Sequence, residues 1–132
     1  DAFPRASLAA VTGERECRRL QDADAWLARV SPGWRRRLAA QAGFESPDTL
    51  AVCGLDYGHP YADRARARIY VRGMASREDR IAVAHEYLHL AFRFHPRGCD
   101  EAFVETMART LVDVSTAGAV AESAARSSGS QR

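Results

Sequence analysis

The chain has 132 residues, 46% of them hydrophobic, and a formal net charge of +2. That length suits one domain with one core, and no apolar run approaches the roughly 20 residues of a membrane span. The charge is too small to point to nucleic acid; Arg35-Arg36-Arg37 is the one basic cluster and reads as a solvated helix face. All 19 basic residues are arginine, which reads as genome composition rather than chemistry. Asp1-Ala2-Phe3-Pro4 carries no signal peptide and looks like a mature or trimmed start.

Residues 1 to about 22 are mixed and predict irregular structure or a short strand. Asp22 to Val30 puts acids before spaced apolar residues, a short helix. Ser31-Pro32 then predicts a new start, and a second helix from Pro32 to about Ala42 closes at Gly43. Thr49 to Leu55 reads as a strand, and Asp56 to Tyr61 as a turn-rich loop. Arg66 to Arg72 alternates and reads as a second strand, paired antiparallel to the first across that loop. Ser76-Arg77-Glu78-Asp79 resembles a capping box, opening a helix to about Phe94 that Pro96 and Gly98 stop. A last helix runs from near Asp100 to about Val114, and small residues follow. The expected architecture is α+β, mostly helical and zincin-like, with a small antiparallel sheet beside the active-site helix. It forms a single domain over 1–126 with a flexible tail at 127–132.

Cys17, Cys53 and Cys99 make no C-x-x-C pair, so a thiolate zinc site is not indicated. They leave two readings: one disulfide with one free thiol, or three buried thiols.

Chemistry concentrates in Ala84-His85-Glu86-Tyr87-Leu88-His89-Leu90. On a helix His85 and His89 lie one above the other and can turn ring nitrogens to a single ion. Glu86 lies roughly 100° round the helix from His85, beside the metal rather than on it. There it can take a proton from metal-bound water. A chance match on a solvated helix is the bland alternative. Against it, Ile81, Val83, Ala84, Leu88, Ala91 and Phe92 make the helix largely apolar, where a histidine pair needs polar partners or a metal.

A catalytic Zn2+ site usually takes three protein ligands and leaves one position for water. His95, Glu101 and Glu105 are the candidates for the third. His95 has the spacing of the metzincin group, but Phe92 stands where that group has a turning glycine. Glu101 and Glu105, in Asp100-Glu101-Ala102-Phe103-Val104-Glu105, share a face of the next helix, which can return alongside the first. Either also suits a first helical turn on dipole grounds alone.

This stretch resembles the second motif of the gluzincin metallopeptidases, N-E-A-x-x-D in thermolysin-like enzymes. The resemblance covers about 30 residues by motif, Ser76 to Thr106. It implies Glu101 as the zinc ligand and Glu105 as an acceptor orienting a histidine. The spacing departs from that family: only eleven residues separate His89 from Glu101, so Glu105 stays an alternative. The wider pattern His-Glu-Tyr-Leu-His-Leu-Ala-Phe, followed by His-Pro-x-Gly, is similar to a bacterial family of secreted proteins encoded beside α2-macroglobulin-like proteins. That similarity implies an extracytoplasmic setting, periplasmic or secreted.

The resulting expectation is a zinc-dependent metallopeptidase. His85, His89 and Glu101 hold Zn2+, Glu86 is the general base, and a peptide or protein is the substrate. Tyr57, Tyr61, Tyr70 or His59 would steady the oxyanion, and Arg68 to Arg72 would be the edge strand that pairs the substrate. The alternative is a zinc-stabilised, non-catalytic binding module of the bacterial cell envelope.

Overall fold

The computed structural model describes residues 16–130. Among the described residues, three helices, a three-stranded sheet and a short 3-10 turn make up the α+β architecture that the sequence predicts. The sequence expectation for residues 1–15 lies outside the described residues.

Helix α1 spans Gln21–Leu38, with Asp22 and Asp24 in its first turn and Arg35, Arg36 and Arg37 in its last, as the helix dipole favours. It is one helix where the sequence predicts a break at Ser31-Pro32. Proline inside a helix removes a hydrogen bond and costs roughly 3 kcal/mol. Ala23, Leu27, Trp34 and Leu38 are nevertheless buried along one stripe that runs through the proline. A break would turn half of that stripe away from the core, so tertiary burial overrides the local stop signal. The helix ends at Leu38, before the expected Ala42, and Gly43 turns the chain with φ +89°.

Strands β1 (Ala51–Gly54), β2 (Tyr61–Asp63) and β3 (Arg68–Val71) form a sheet in the order β1-β3-β2. β1 and β3 are parallel, with Val52 opposite Ile69; β2 and β3 are antiparallel, with Tyr61 opposite Tyr70. The predicted antiparallel pairing of the first and last strands is therefore corrected. The unforeseen strand β2 carries the chain back down, so the strand after it runs parallel to β1. β2 was hidden because it is only three residues long. Its turn is set by Asp63, whose Oδ1 accepts from the N–H groups of Ala65 and Arg66, each at 3.1 Å. A second correction follows: β3 is the central strand, paired on both sides, and cannot be the edge that receives a substrate. Residues 18–20 line the far side of β1, with Leu20 N–H donating to Val52 O at 2.9 Å and Gly54 N–H to Arg18 O at 2.8 Å. Among the described residues, β2 is left as the open edge.

One sheet face, with Val52, Ile69 and Val71, joins the main core under the helices. The other carries Cys53, Leu55 and Tyr70, closed by a Cys17–Cys53 disulfide. Cys99 is a free, exposed thiol, so the first of the two cysteine readings holds.

Helix α2 spans Arg77–Ala91 and opens on the predicted capping box: Asp79 N–H donates to Ser76 Oγ and Ser76 N–H to Asp79 Oδ2, each at 3.1 Å. It stops three residues short of the predicted Phe94. Phe92 is buried there between Phe44 and Phe103, with ring centroids at 5.9 and 5.4 Å, which fixes the exit. The 3-10 turn Pro96–Cys99 follows, then helix α3 over Glu101–Ser130, with Asp100 Oδ1 accepting from Phe103 N–H. α3 passes the predicted end at Val114 and enters the predicted flexible tail. Alanine is the best helix former, and alanines recur at 117, 119, 121, 124 and 125. Ser115 also ties the helix to α1, accepting from Trp34 Nε1 at 2.8 Å.

The disulfide joins residues 36 apart in sequence. Replacing both Cys17 and Cys53 by serine should lower unfolding stability by about 3–4 kcal/mol on loop-closure grounds. Urea titration with and without reductant checks this: reductant should shift the wild-type midpoint and leave that of the variant unchanged.

Candidate metal centre

His85 and His89 stand one turn apart on α2, ring centroids 4.9 Å from each other. The chain then reverses through Phe92–Asp100, so that α3 begins beside them. That reversal depends on Gly98. A Cβ there would collide with the carbonyl oxygen of Phe92, so only glycine lets the turn close so tightly on the end of α2. The result is a cluster of His85, His89 and Glu101 whose ligand atoms all lie within 4.8 Å of one another.

The proton inventory of this cluster is informative. His89 Nδ1 is 2.7 Å from the carbonyl of Gly98, which can only accept, so Nδ1 carries the proton. His85 Nδ1 is 2.9 Å from Glu105 Oε1. Hydrogen bonds from His85 and then Arg109 hold the Glu105 carboxyl below the usual carboxylate range, so it too is an acceptor. In the neutral rings both Nε2 atoms are then bare lone pairs, and both face Glu101: His85 Nε2 is 3.0 Å from Oε1, and His89 Nε2 is 3.2 Å from Oε2. A cation held at that point would satisfy all three groups, as would protonation of the rings, which turns each contact into an ion pair with Glu101. Nitrogen and oxygen ligands placed tetrahedrally at zinc bond lengths lie about 3.3 Å apart. The residues present fit Zn2+.

Glu86 lies outside the cluster and is only 7% exposed. Burial pushes its carboxyl up to about 7; the charge of His85 opposes this and that of Glu101 adds to it. It is thus a buried carboxylate poised near neutrality and sensing two members of the cluster.

The other expected residues fall elsewhere. His95 Nδ1 accepts from Arg97 N–H at 3.1 Å, capping the 3-10 turn, and its ring rests against Gly43. With Phe92 locked in the core, the chain does not swing His95 back to the metal. Glu105 reaches His85 Nδ1 and stays outside the three-residue cluster. Tyr70 and Tyr61 stack at 4.7 Å, with Tyr70 in the small core on the sheet face away from the main one. Tyr57 and His59 stand exposed on the β1–β2 loop. Two contributors escape sequence reasoning. Gly98 turns the chain and supplies the acceptor for His89. Arg109 braces Glu105 through Nε to Oε2 at 2.8 Å, and its i,i+4 spacing from Glu105 was the available signal.

Comparison with known proteins places the chain in a family. The model of the family described as "Predicted secreted protein (DUF2300)" matches residues 1–97, and the chain belongs to that family. It is also 45% identical over 112 residues to "Uncharacterized protein YfaQ" of Escherichia coli (strain K12), a match over 84% of this chain and 20% of that protein. The chain thus spans about a fifth of the length of the curated relative. No solved structure matches. The secreted description agrees with the extracytoplasmic setting, as does the disulfide.

The resemblances drawn from the motif, to gluzincins and to a family encoded beside α2-macroglobulin-like proteins, are corrected as family assignments. A His-Glu-x-x-His helix with a returning carboxylate is a local arrangement of about 30 residues that unrelated helix pairs can reach. Family membership is carried by residues 1–97, most of which lie outside that stretch.

Removing the Glu105 carboxylate frees the His85 ring. Glu105→Ala should weaken zinc affinity about 10–100-fold, measured by competition with a chromophoric chelator, with far-UV circular dichroism unchanged.

Proposed function

We propose that this member of a secreted family hydrolyses peptide bonds with the help of a zinc ion held by His85, His89 and Glu101. The observation that carries the reading is the convergence of two Nε2 atoms and the Glu101 carboxylate, with each Nδ1 facing an acceptor elsewhere. When bound, zinc would lower the pKa of a water molecule and polarise a carbonyl.

The chain's own groups do the rest. Glu86 is near enough to feel the charges of His85 and Glu101, and its burial favours proton uptake. It takes a proton from the attacking water and gives it to the leaving amine. A carboxyl with a raised pKa loses its basic form as pH falls through that value. A cation beside it favours the charged form and moves that loss to lower pH. Rate should therefore fall on the acid side, with a midpoint below the value of about 7 that Glu86 has without metal. The open edge of β2 offers backbone groups to an extended peptide.

What favours catalysis over a purely structural centre is access. The cluster holds three ligands among the described residues, and the Glu101 side chain is 67% exposed. A closed zinc centre would have a fourth protein ligand.

Elemental analysis of untagged protein should find one zinc per chain, lost in His89→Ala. Glu86→Gln should keep the zinc and lower peptide hydrolysis by about 10²–10⁴-fold. Full activity in that variant sinks the role of Glu86; absence of zinc after reconstitution sinks the metal reading.

A further inference from the structure

A groove of about 720 Å3 runs between α1 and α3 and is bounded by Arg80 of α2. Arg80 lies roughly 140° round α2 from His85 by helix geometry, so this groove does not belong to the metal centre. Its floor is apolar and preformed. Trp34 is fully buried, its indole N–H fixed to Ser115 Oγ, and Trp26 packs edge-on against it at 5.4 Å. Gly33 leaves the middle of the groove open: a Cβ there would meet only the Arg36 guanidinium, at 3.7 Å.

Four arginines line the groove, Arg29, Arg36, Arg37 and Arg80, and among the described residues no acidic side chain does. Arg18, Arg19, Arg66, Arg77 and Arg109 pair with Asp or Glu at 2.8–3.5 Å. The four groove arginines make no ion pair among the described residues, as is also true of Arg35, Arg64, Arg72, Arg93 and Arg97; what distinguishes the four is that they gather round one groove. Guanidinium groups gathered over an apolar floor without carboxylates form a receptor for an amphipathic anion.

The spacing narrows the class. Arg29 and Arg36 are seven residues apart, about 10 Å along the helix axis. One phosphate or headgroup does not span that distance. Acidic residues three apart on a polyproline II chain do, on one face of it, at about 3.1 Å per residue. A bilayer surface also cannot enter a concave groove, whereas a peptide can. We propose that this groove binds an acidic peptide segment with an apolar residue between its carboxylates. The carboxylates pair with Arg29 and with Arg36 or Arg37, and the apolar side chain rests over Gly33 against the tryptophans. The site stands apart from the metal chemistry and needs no zinc.

The test uses the full chain and its two tryptophans, Trp26 and Trp34, as reporters. An acetylated Glu-Ser-Leu-Glu-Ser-Leu-Glu peptide is titrated with and without a zinc chelator. Saturable binding is expected in both cases, weakening with salt, and lost when glutamine replaces glutamate. Arg36→Glu and Gly33→Leu should each weaken it at least about tenfold. Gly33→Leu fills the groove at a helical position where propensity favours any side chain over glycine, and circular dichroism checks that both variants stay folded. Equal binding of the glutamine peptide, equal competition by inorganic phosphate or phosphatidylglycerol vesicles, or wild-type binding in folded variants would overturn the proposal. So would a sedimentation-detected dimer that Arg36→Glu dissolves, because the groove would then receive a second copy.

Discussion

The candidate centre rests on one steric fact, the close approach of Gly98 to the carbonyl of Phe92. Because no Cβ intervenes, the turn folds onto the end of α2, its carbonyl reaches His89 Nδ1, and α3 starts where Glu101 faces both Nε2 atoms. An added residue in this turn would rotate α3 by about 100° per position and carry Glu101 off the axis of the pair. Phe92, packed between two phenylalanines, keeps the turn from unrolling. The helix dipole alone would favour a carboxylate at the first position of α3. It does not account for that carboxylate lying within 3.2 Å of two imidazoles.

A second layer gives the centre its electrical character. Glu105 and Glu86 are both carboxylates near His85, and their surroundings drive them apart. Glu105 is hydrogen-bonded to His85 and Arg109 and is held ionised; Glu86 is buried and pushed towards neutrality. One can therefore serve as a fixed acceptor and the other can exchange a proton near neutral pH. Arg109 also reaches Glu78 at 3.5 Å, which links this acceptor to the first turn of α2.

Residues that announce themselves locally were legible in the sequence. Ser76 and Asp79 marked the start of α2, and His85, Glu86 and His89 share a short arc of it. The α+β class followed from the same local patterns. What was hidden depends on partners far along the chain. Pro32 looks like a helix start until Trp34 and Leu38 are seen buried in line with Ala23 and Leu27. β2 is too short to show alternation, and without it the parallel pairing of β1 and β3 has no visible cause. The geometric difference between Glu101 and Glu105 depended on the tightness of a turn, and that was set by a contact between Gly98 and a backbone oxygen no pattern reveals.

Net charge conceals both features of this molecule that look built for a ligand. A total of +2 reads as electrically bland. Yet α2 separates two opposite local imbalances: imidazole nitrogens and a carboxylate gathered on its His85–His89 face, and guanidinium groups with no carboxylate among the described residues lining the groove beside Arg80. Like partial charges repel most where water is partly excluded, as at the half-buried histidines, whereas Arg29, Arg36 and Arg37 are exposed and water screens their repulsion. Between the two faces, Ala84, Tyr87 and Ala91 are buried in the main core, so α2 is held as a rigid divider. A cation on one side and an anionic chain on the other would each relieve the imbalance it meets, through separate contacts. Local charge deficits fixed by packing, rather than the charge of the whole chain, are therefore what identify the two surfaces.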